Sequence, residues 1–385
     1  MFTLIRPHCL RVSAQVVRCF RLKDQLRALW RFMLLGDGLF LQRVIDGAEE
    51  CSAARDHRPG QPASEMQALS LRLSHITASM AEDYPDASVS SDEMLKHFSY
   101  RYDPGRGGLE CDGRVLLMPF RGWTTPQAAA VRLMVRFRAN YHIEADSPLF
   151  AVLSAGSLER YSALHSYLLL FPHLEKLLTR CWLDWTKKTR RLASPTCDVT
   201  TALLQQMRFV VVSLSEYFRL MVVMPAWKQL SAALLQCEGD SSTASVTALA
   251  RAHTAYVDRI WSQCWLDEAT ADVLATLESL LGQAFDLVSV FPRQVEASAA
   301  RQWQYTMSEF IAQLQALDTL DGIHGGQSAA ARFLLSRLDG SGFWSRQRAS
   351  AQEWHRSQQR DTVNSTEIPR GNHADDSILS DRGIV

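Results

Sequence analysis

Apolar residues recur along most of this chain at intervals of three and four positions, the spacing that places side chains on one face of an α-helix. The first such stripe runs from Lys23 to Asp46 and is interrupted by Gly36-Asp37-Gly38. This pattern predicts a helix, a tight turn and a second helix. A longer helical region is expected after Ser154, whose hydroxyl is suited to cap a helix N-terminus.

Two prolines fall inside the apolar pattern of that longer region. Because a proline in a helix interior removes a backbone donor and costs about 3 kcal/mol, we expect the helix to kink or restart at Pro172. Residues 200–224 are apolar on more than one face, which is typical of a helix in the middle of a bundle. Pro225 is expected to end that helix, and the next stripe starts at Trp227.

Similar stripes continue toward the C-terminus. They lie in residues 246–261, 274–288, 303–317 and 329–344. Asp267 is placed to cap the helix that carries the second of them. Together the stripes predict roughly eight to ten helices joined mostly by short turns. We therefore expect an all-α fold, a stacked multi-helix bundle, as one domain over residues 1–345.

Three kinds of segment interrupt the helical pattern. Residues 51–65 and 82–126 contain Pro, Gly and small polar residues, so both are predicted to be loop insertions. Residues 131–143 alternate between apolar and polar positions, which favours a short extended segment. From Ser345 onward the chain is polar with no periodic apolar face, so residues 346–385 are expected to form a disordered tail.

The charge balance argues against two classes of partner. The 41 Lys and Arg residues are matched by 41 Asp and Glu residues, whereas a general nucleic-acid binder needs a basic surplus to displace counterions. A neutral chain is also not drawn to an anionic membrane, and no uninterrupted apolar run reaches the ~18 residues that span a bilayer. We expect neither nucleic acid nor a membrane as a partner.

Motifs for catalysis and metal binding are absent from the sequence. The eight cysteines form no C-x-x-C pair, so we expect reduced, buried thiols. Gly105–Gly108 lacks the flanking strand and the Gly-Lys-Ser/Thr of a phosphate-binding loop. The calcium-like start at Asp339 lacks a Glu at its twelfth position, where Ser350 stands. With no zinc or serine-hydrolase motif either, we expect no catalytic, cofactor or metal site and no enzyme.

Four separated stretches carry motifs in a distinctive order. Asp24–Asp46 holds the glycine turn, and Val135–Leu170 holds an extended stretch and a Ser-capped helix. Gln206–Leu230 contains the aromatic pair Tyr217-Phe218, and Phe333–Trp344 closes with a Gly-Phe-Trp sequence. This order resembles the C-terminal Grip domain of the gamma-tubulin complex component family, and is most similar to its shorter fourth component.

Departures from the family pattern indicate a divergent member. Ser213 stands where the family has Asn, and an acidic residue is replaced around Met224-Pro225. Pro172 interrupts a helix that is continuous in the family. The N-terminal Grip domain, which in the family mediates side-by-side contacts, is almost wholly absent. The expectation is a fragment or a reduced protein, in which lateral assembly is in doubt.

The resemblance implies a role rather than a reaction. It implies binding to gamma-tubulin and to other gamma-tubulin complex components, in support of microtubule nucleation. The implied location is the cytoplasmic cytoskeleton, at a microtubule-organising centre such as a spindle pole, centrosome or basal body. One alternative is a helical adaptor that no longer binds gamma-tubulin. Another is a mitochondrial helical protein, because the first 23 residues are Arg-rich and free of acidic residues.

The exposed turns are the candidate gamma-tubulin surface. We assign it to the turn from Leu35 to Phe40 with Arg43, and to the turn at Asp339–Phe343. The candidate residues are Leu35, Gly36, Asp37, Gly38, Phe40, Arg43, Asp339, Gly342 and Phe343. The alternative for each turn is a purely structural one, a helix connection and a helix cap.

Overall fold

The protein is described by a computed structural model in ten segments. These are residues 20–56, 97–102, 109–111, 114–117, 137–143, 147–192, 198–239, 246–291, 295–320 and 327–349. The helices are α1 (Leu22–Ala28), α2 (Gly38–Asp56), α3 (Ala155–Leu192), α4 (Asp198–Glu216), α5 (Met224–Gly239), α6 (Val246–Gln263), α7 (Ala271–Val290), α8 (Ala297–Leu320) and α9 (Gln327–Asp339). The strands are β1 (Phe98–Tyr102), β2 (Leu109–Cys111), β3 (Arg114–Leu117) and β4 (Phe137–Tyr141). The all-α fold is confirmed, with two small ribbons added.

The N-terminal segment forms the predicted helix, turn and helix. Helix α1 passes directly into a π-helical segment, Leu29–Met33, and α2 begins at Gly38. Leu35 turns the chain between them with a positive φ of 60°. Helix α2 continues to Asp56, so the prediction of a loop is wrong for residues 51–56, and residues 57–65 lie outside the described segments.

Two antiparallel ribbons replace part of the predicted loops. Strand β1 pairs with β4, with Phe98 opposite Tyr141, and β2 pairs with β3. The extended segment predicted at 131–143 is therefore confirmed over β4. The prediction that 82–126 is all loop is wrong, because β1, β2 and β3 lie within it. Phe98 and Tyr100 of β1 are buried in the hydrophobic core. The turn-forming residues around them gave no indication of this burial.

Helix α3 starts where the sequence predicts but passes its proline unbroken. The Ser154 hydroxyl accepts the N–H of Ser157 at 3.2 Å, the expected cap. Pro172 lies inside the continuous helix Ala155–Leu192, so a restart there is wrong. Its neighbours Phe171 and Leu174 are almost fully buried. Packing on both sides of the proline outweighs the one lost backbone bond.

Pro225 likewise does not end its helix. The chain is helical from α4 through a π-helical segment, Tyr217–Val223, into α5. The N–H of Met224 bonds to the carbonyl of Arg219, five residues back. A π-turn inserts an extra residue into the helix. We attribute the tolerance of Pro225 to this wider turn, because a tight α-turn would press the proline ring against the preceding turn.

The core is organised around a group of aromatic rings from four parts of the chain. The rings of Tyr217 and Trp265 stack with centroids 5.2 Å apart and planes 9° apart. The ring centroid of Phe218 lies 4.7 Å from that of Phe171 in α3, and Trp265 packs edge to face on Phe310 of α8. Such ring pairs add to the hydrophobic gain of burial. We call these five residues the aromatic nucleus.

Two helical stretches are long and apolar enough to cross a membrane by composition. They are Val199–Gln236 and Val246–Val290, with mean hydropathy of 1.5 and 1.4 in their most apolar windows. Half of each window is buried within the bundle. Core helices of a helical bundle meet the same criterion, since a helix in the middle is apolar nearly all round.

The last described segment ends in a short helix, and three of the cysteines are buried. Residues 343–349 form a short helix, so the prediction of disorder from Ser345 is wrong for its first residues, and residues 350–385 lie outside the described segments. Cys111, Cys181 and Cys264 are reduced, buried thiols, as expected. Burial raises the pKa of the Cys181 thiol to about 11.

Truncating the aromatic nucleus is expected to destabilise the whole bundle. Phe218→Ala should lower the free energy of unfolding by about 3–5 kcal/mol, because it leaves a cavity among packed rings. The control is Phe209→Ala on the same helical run, since Phe209 is 48% exposed and its loss should cost within about 0.5 kcal/mol. Urea unfolding followed by circular dichroism measures both. Equal losses would show that the nucleus is not the centre of stability.

Candidate partner-binding turns

The first turn is held by a single carboxylate. Asp37 Oδ1 accepts the backbone N–H groups of Leu39 and Phe40, each at 3.1 Å. Its Oδ2 accepts a hydrogen bond from Arg31 Nη2 at 2.8 Å. Asp37 is therefore the N-cap of α2 and half of a largely buried ion pair. Its placement serves the connection between the helices, the structural alternative for this residue.

Glycine is required at one of the two glycine positions of this turn. A Cβ on Gly36 would lie 2.9 Å from both the Arg31 Cα and the Trp30 carbonyl oxygen. Backbone atoms cannot yield at that distance, so the turn closes against the π-helical segment Leu29–Met33 only with glycine there. A Cβ on Gly38 would meet nothing within 4 Å. Gly38 thus faces open space at the start of α2.

The side chains after the turn alternate between core and surface. Phe40 is buried and packs edge to face on Phe32, with ring centroids 5.0 Å apart. Leu39 is 63% exposed, while Leu35 and Arg43 are half-buried. The outer surface of this turn therefore consists of Gly36, Gly38 and Leu39. Leu39 was not among the residues predicted from the sequence. The available signal was its position next to Phe40, because adjacent side chains on a helix point in different directions.

The second turn repeats this arrangement at the end of α9. Asp339 Oδ1 accepts the N–H of Trp344 at 2.9 Å, and Oδ2 accepts the N–H of Ser345 at 3.3 Å. Gly342 has a φ of 67°, a left-handed conformation that favours glycine. Phe343 is 45% exposed and packs edge to face on the buried Trp344. Asp339 caps the last short helix, and Phe343 is what the turn exposes.

The four motif-bearing stretches meet in one packed unit. Trp30 of the first stacks on Trp227 of the third, with centroids 5.1 Å apart and planes 6° apart. The Met33 carbonyl of the first is 3.2 Å from His165 Nδ1 of the second. Arg337 of the fourth contacts the third stretch through Ser213, as described below. The stretches are thus one framework rather than independent segments.

A comparison with protein families agrees with this arrangement. The family described as "Gamma tubulin complex component C-terminal" matches residues 22–344. The chain belongs to this gamma-tubulin complex component family. A search of curated proteins returned no match. The match extends from α1 through Trp344 and so includes both turns, which places the chain among structural components of gamma-tubulin complexes.

The family position occupied by Ser213 is an internal one. Ser213 is fully buried, and its hydroxyl donates to the Phe209 carbonyl at 2.7 Å. The same hydroxyl accepts a hydrogen bond from Arg337 Nε at 3.0 Å. Arg337 Nη1 also forms an ion pair with the Glu216 carboxylate at 2.5 Å. Ser213 therefore helps to hold α9 on α4. Its side chain is not part of the exposed surface.

A partly buried ion network holds α2 against α3 beyond the first turn. Glu49 accepts Lys176 at 2.7 Å and Arg180 at 3.1 Å, and His173 lies 3.5 Å away. Burial alone would raise the pKa of Glu49, but the bonds from His173, Lys176 and Arg180 lower it to about 2. Burial lowers the pKa of His173. The network fixes the direction in which α2 leaves the turn.

Removing the Asp37 cap is expected to weaken the turn in proportion to the bonds lost. Asp37→Ala should lower the free energy of unfolding by about 2 kcal/mol, because two backbone donors and Arg31 lose their acceptor. Asp37→Asn keeps an amide oxygen for the cap, so its loss should be smaller. Thermal unfolding at pH 7 measures both. If Asn and Ala are equally harmful, the ion pair with Arg31 rather than the cap stabilises the turn.

The Glu49 network predicts acid sensitivity with a defined sign. A carboxylate whose folded pKa is depressed stabilises the fold above its unfolded pKa, and that stability is lost as the pH falls toward the folded value. The stability contributed by Glu49 should therefore decrease from about pH 4.5 toward pH 2. His173 adds to this loss of stability. Because its pKa is lowered in the folded state, the unfolded chain binds a proton at this histidine at a higher pH than the folded chain does. Glu49→Gln should be less stable than wild type at pH 7 and less pH-dependent below pH 5; urea titrations at pH 7, 5 and 3.5 test this.

Proposed function

We propose that this chain binds gamma-tubulin and supports microtubule nucleation as one module of a gamma-tubulin complex, together with other components. The observation that supports the proposal most directly is the family match over residues 22–344, which includes all four motif-bearing stretches. The cytoplasmic side of a microtubule-organising centre, at a spindle pole, centrosome or basal body, is the corresponding location.

The physical role needs rigidity and no chemistry. Nucleation is slow because small tubulin oligomers lose more entropy than their few contacts return, and holding several subunits in a row removes much of that loss. A module can do this only if its binding surface is fixed relative to its body. The aromatic nucleus, the capped turns and the Glu49 network supply that rigidity. Among the described residues, no group of side chains could hold a metal ion.

The exposed residues of the two turns are the proposed contact surface. Leu39 and Phe343 are large apolar side chains left on the surface of otherwise fixed turns, and such residues anchor protein interfaces. Around them we keep Leu35, Gly36, Gly38, Arg43 and Gly342 as proposed contacts. Asp37, Phe40 and Asp339 belong to the proposal as the residues that position this surface, since each is engaged within the fold.

The alternative of a helical adaptor without gamma-tubulin binding rests on the departures from the family pattern. The clearest of them, Ser213, is buried between α4 and α9. It therefore offers no reason to expect a lost partner surface. Binding to purified gamma-tubulin decides between the two functions.

Charged substitutions at the exposed turn residues are expected to reduce gamma-tubulin binding without unfolding the chain. In size-exclusion chromatography the wild-type chain should co-elute with purified gamma-tubulin. Leu39→Glu and Phe343→Glu should each weaken binding about tenfold or more, because an apolar anchor contributes upward of 1.4 kcal/mol. Their melting temperatures should stay close to that of wild type, since both residues are exposed.

The matched control is Leu235→Glu on α5. Leu235 is 56% exposed and lies outside both turns, so this variant should bind as wild type does. Wild-type affinity in Leu39→Glu and Phe343→Glu would move the contact surface elsewhere on the bundle. Failure of the wild-type chain itself to bind would favour the adaptor function.

A further inference from the structure

A groove opens between α4, α7 and the start of α8, and none of the turn residues lines it. Its volume is about 450 Å³, within the range of about 300–1,000 Å³ that ligand and anchor sites occupy. Buried Leu203, Met207 and Leu287 belong to its apolar lining. Val290, 50% exposed, adds an apolar side chain on the surface side. The groove thus offers a site for an apolar side chain from outside.

The polar lining of the groove carries acidic charge. Among the residues that the structure describes, the charged side chains lining it are those of Asp286 and Glu296, both acidic. The Gln283 side chain also lines the groove, and its Oε1 is buried without a hydrogen-bond partner among the described residues. Burial raises the pKa of Asp286. Three oxygen acceptors therefore surround the apolar floor, and they suit an occupant rich in donors and positive charge.

The walls are held in place before any partner arrives. The N–H of Val295, just before α8, donates to the Thr200 hydroxyl of α4 at 3.3 Å. Across the groove, Gln283 Nε2 of α7 donates to the Thr306 hydroxyl of α8 at 2.8 Å. Because the helices are already tied to one another, binding need not order them, which lowers the entropic cost of association.

We propose that this groove binds an amphipathic helical segment of a partner protein, with an aliphatic side chain on the Leu203–Met207–Leu287 floor and a Lys or Arg reaching Asp286 and Glu296. Helix-in-groove recognition uses such spaced apolar anchors. The acidic lining would repel an anionic lipid surface, so the charge favours a basic peptide over a membrane. The proposal does not depend on gamma-tubulin binding.

Two synthetic peptides test the proposal on the full chain by fluorescence anisotropy. Both are fluorescein-labelled 18-residue helices with Leu at positions i, i+3, i+4 and i+7, the recognition spacing. One carries Lys beside the Leu stripe and the other carries Glu at the same places. The Lys peptide should bind, and the Glu peptide should bind at least about tenfold more weakly. The Met207 methyl resonance, in protein labelled with ¹³C-methyl methionine, should shift on binding of the Lys peptide.

A charge reversal identifies the groove as the site. Asp286→Lys should weaken the Lys peptide about tenfold and strengthen the Glu peptide. Asp272→Lys, an exposed carboxylate on the same helix and outside the groove, should change neither affinity. Both variants should keep wild-type co-elution with gamma-tubulin, which separates this result from failure of the proposed function.

Several outcomes overturn the proposal. These are no binding of the Lys peptide, equal binding of both peptides, an unchanged Met207 resonance, or equal effects of Asp286→Lys and Asp272→Lys. Sedimentation of the chain with phosphatidylserine vesicles, lost on Val290→Asp, would assign the groove to a membrane surface instead.

Discussion

The stack of Tyr217 on Trp265 is the contact on which the arrangement of this bundle depends. Tyr217 opens the π-helical segment, and its hydroxyl also donates to the Gln263 carbonyl at the end of α6. The extra residue of a π-turn rotates everything that follows it relative to what precedes it. Helix α4 can therefore face α3 while α5, on the same helical run, turns Trp227 toward Trp30 in the π-helical segment after α1. One local irregularity thus directs two faces of a long helix to two different neighbours.

Features set by local chemistry were predictable from the sequence. Ser154 caps α3 because a serine hydroxyl can accept an N–H group that the first turn of a helix leaves without a partner. The Gly36-Asp37-Gly38 interruption predicted a turn because glycine and aspartate favour turns. The two prolines were not predictable in the same way. The cost of a proline is local, whereas the packing that outweighs it around Pro172 comes from residues far along the chain. Intrinsic preferences were overridden where burial was greatest.

The candidate site was predicted at the level of the turns and not of the side chains. The sequence located both turns, but it did not distinguish the side chains that face outward from those that face inward. The structure shows that Asp37 and Asp339 each accept hydrogen bonds from backbone N–H groups, and that Phe40 faces inward while Leu39 faces outward. Which neighbour points outward depends on the rotation of α2 about its axis, a tertiary property. The groove beside α7 depends on the spacing of three helices, and no sequence pattern specified it.

The parallel indole rings of Trp30 and Trp227 join the start of the described chain to its middle. Contacts between residues so distant in sequence make folding slow, because a large loop must close before they form. During synthesis, Trp30 emerges long before α5, so its indole ring has to wait for the ring that covers it. Exposed apolar surface of this kind is prone to aggregation. The stack on Trp227 thus sets a delay of nearly two hundred residues between the synthesis of Trp30 and its burial.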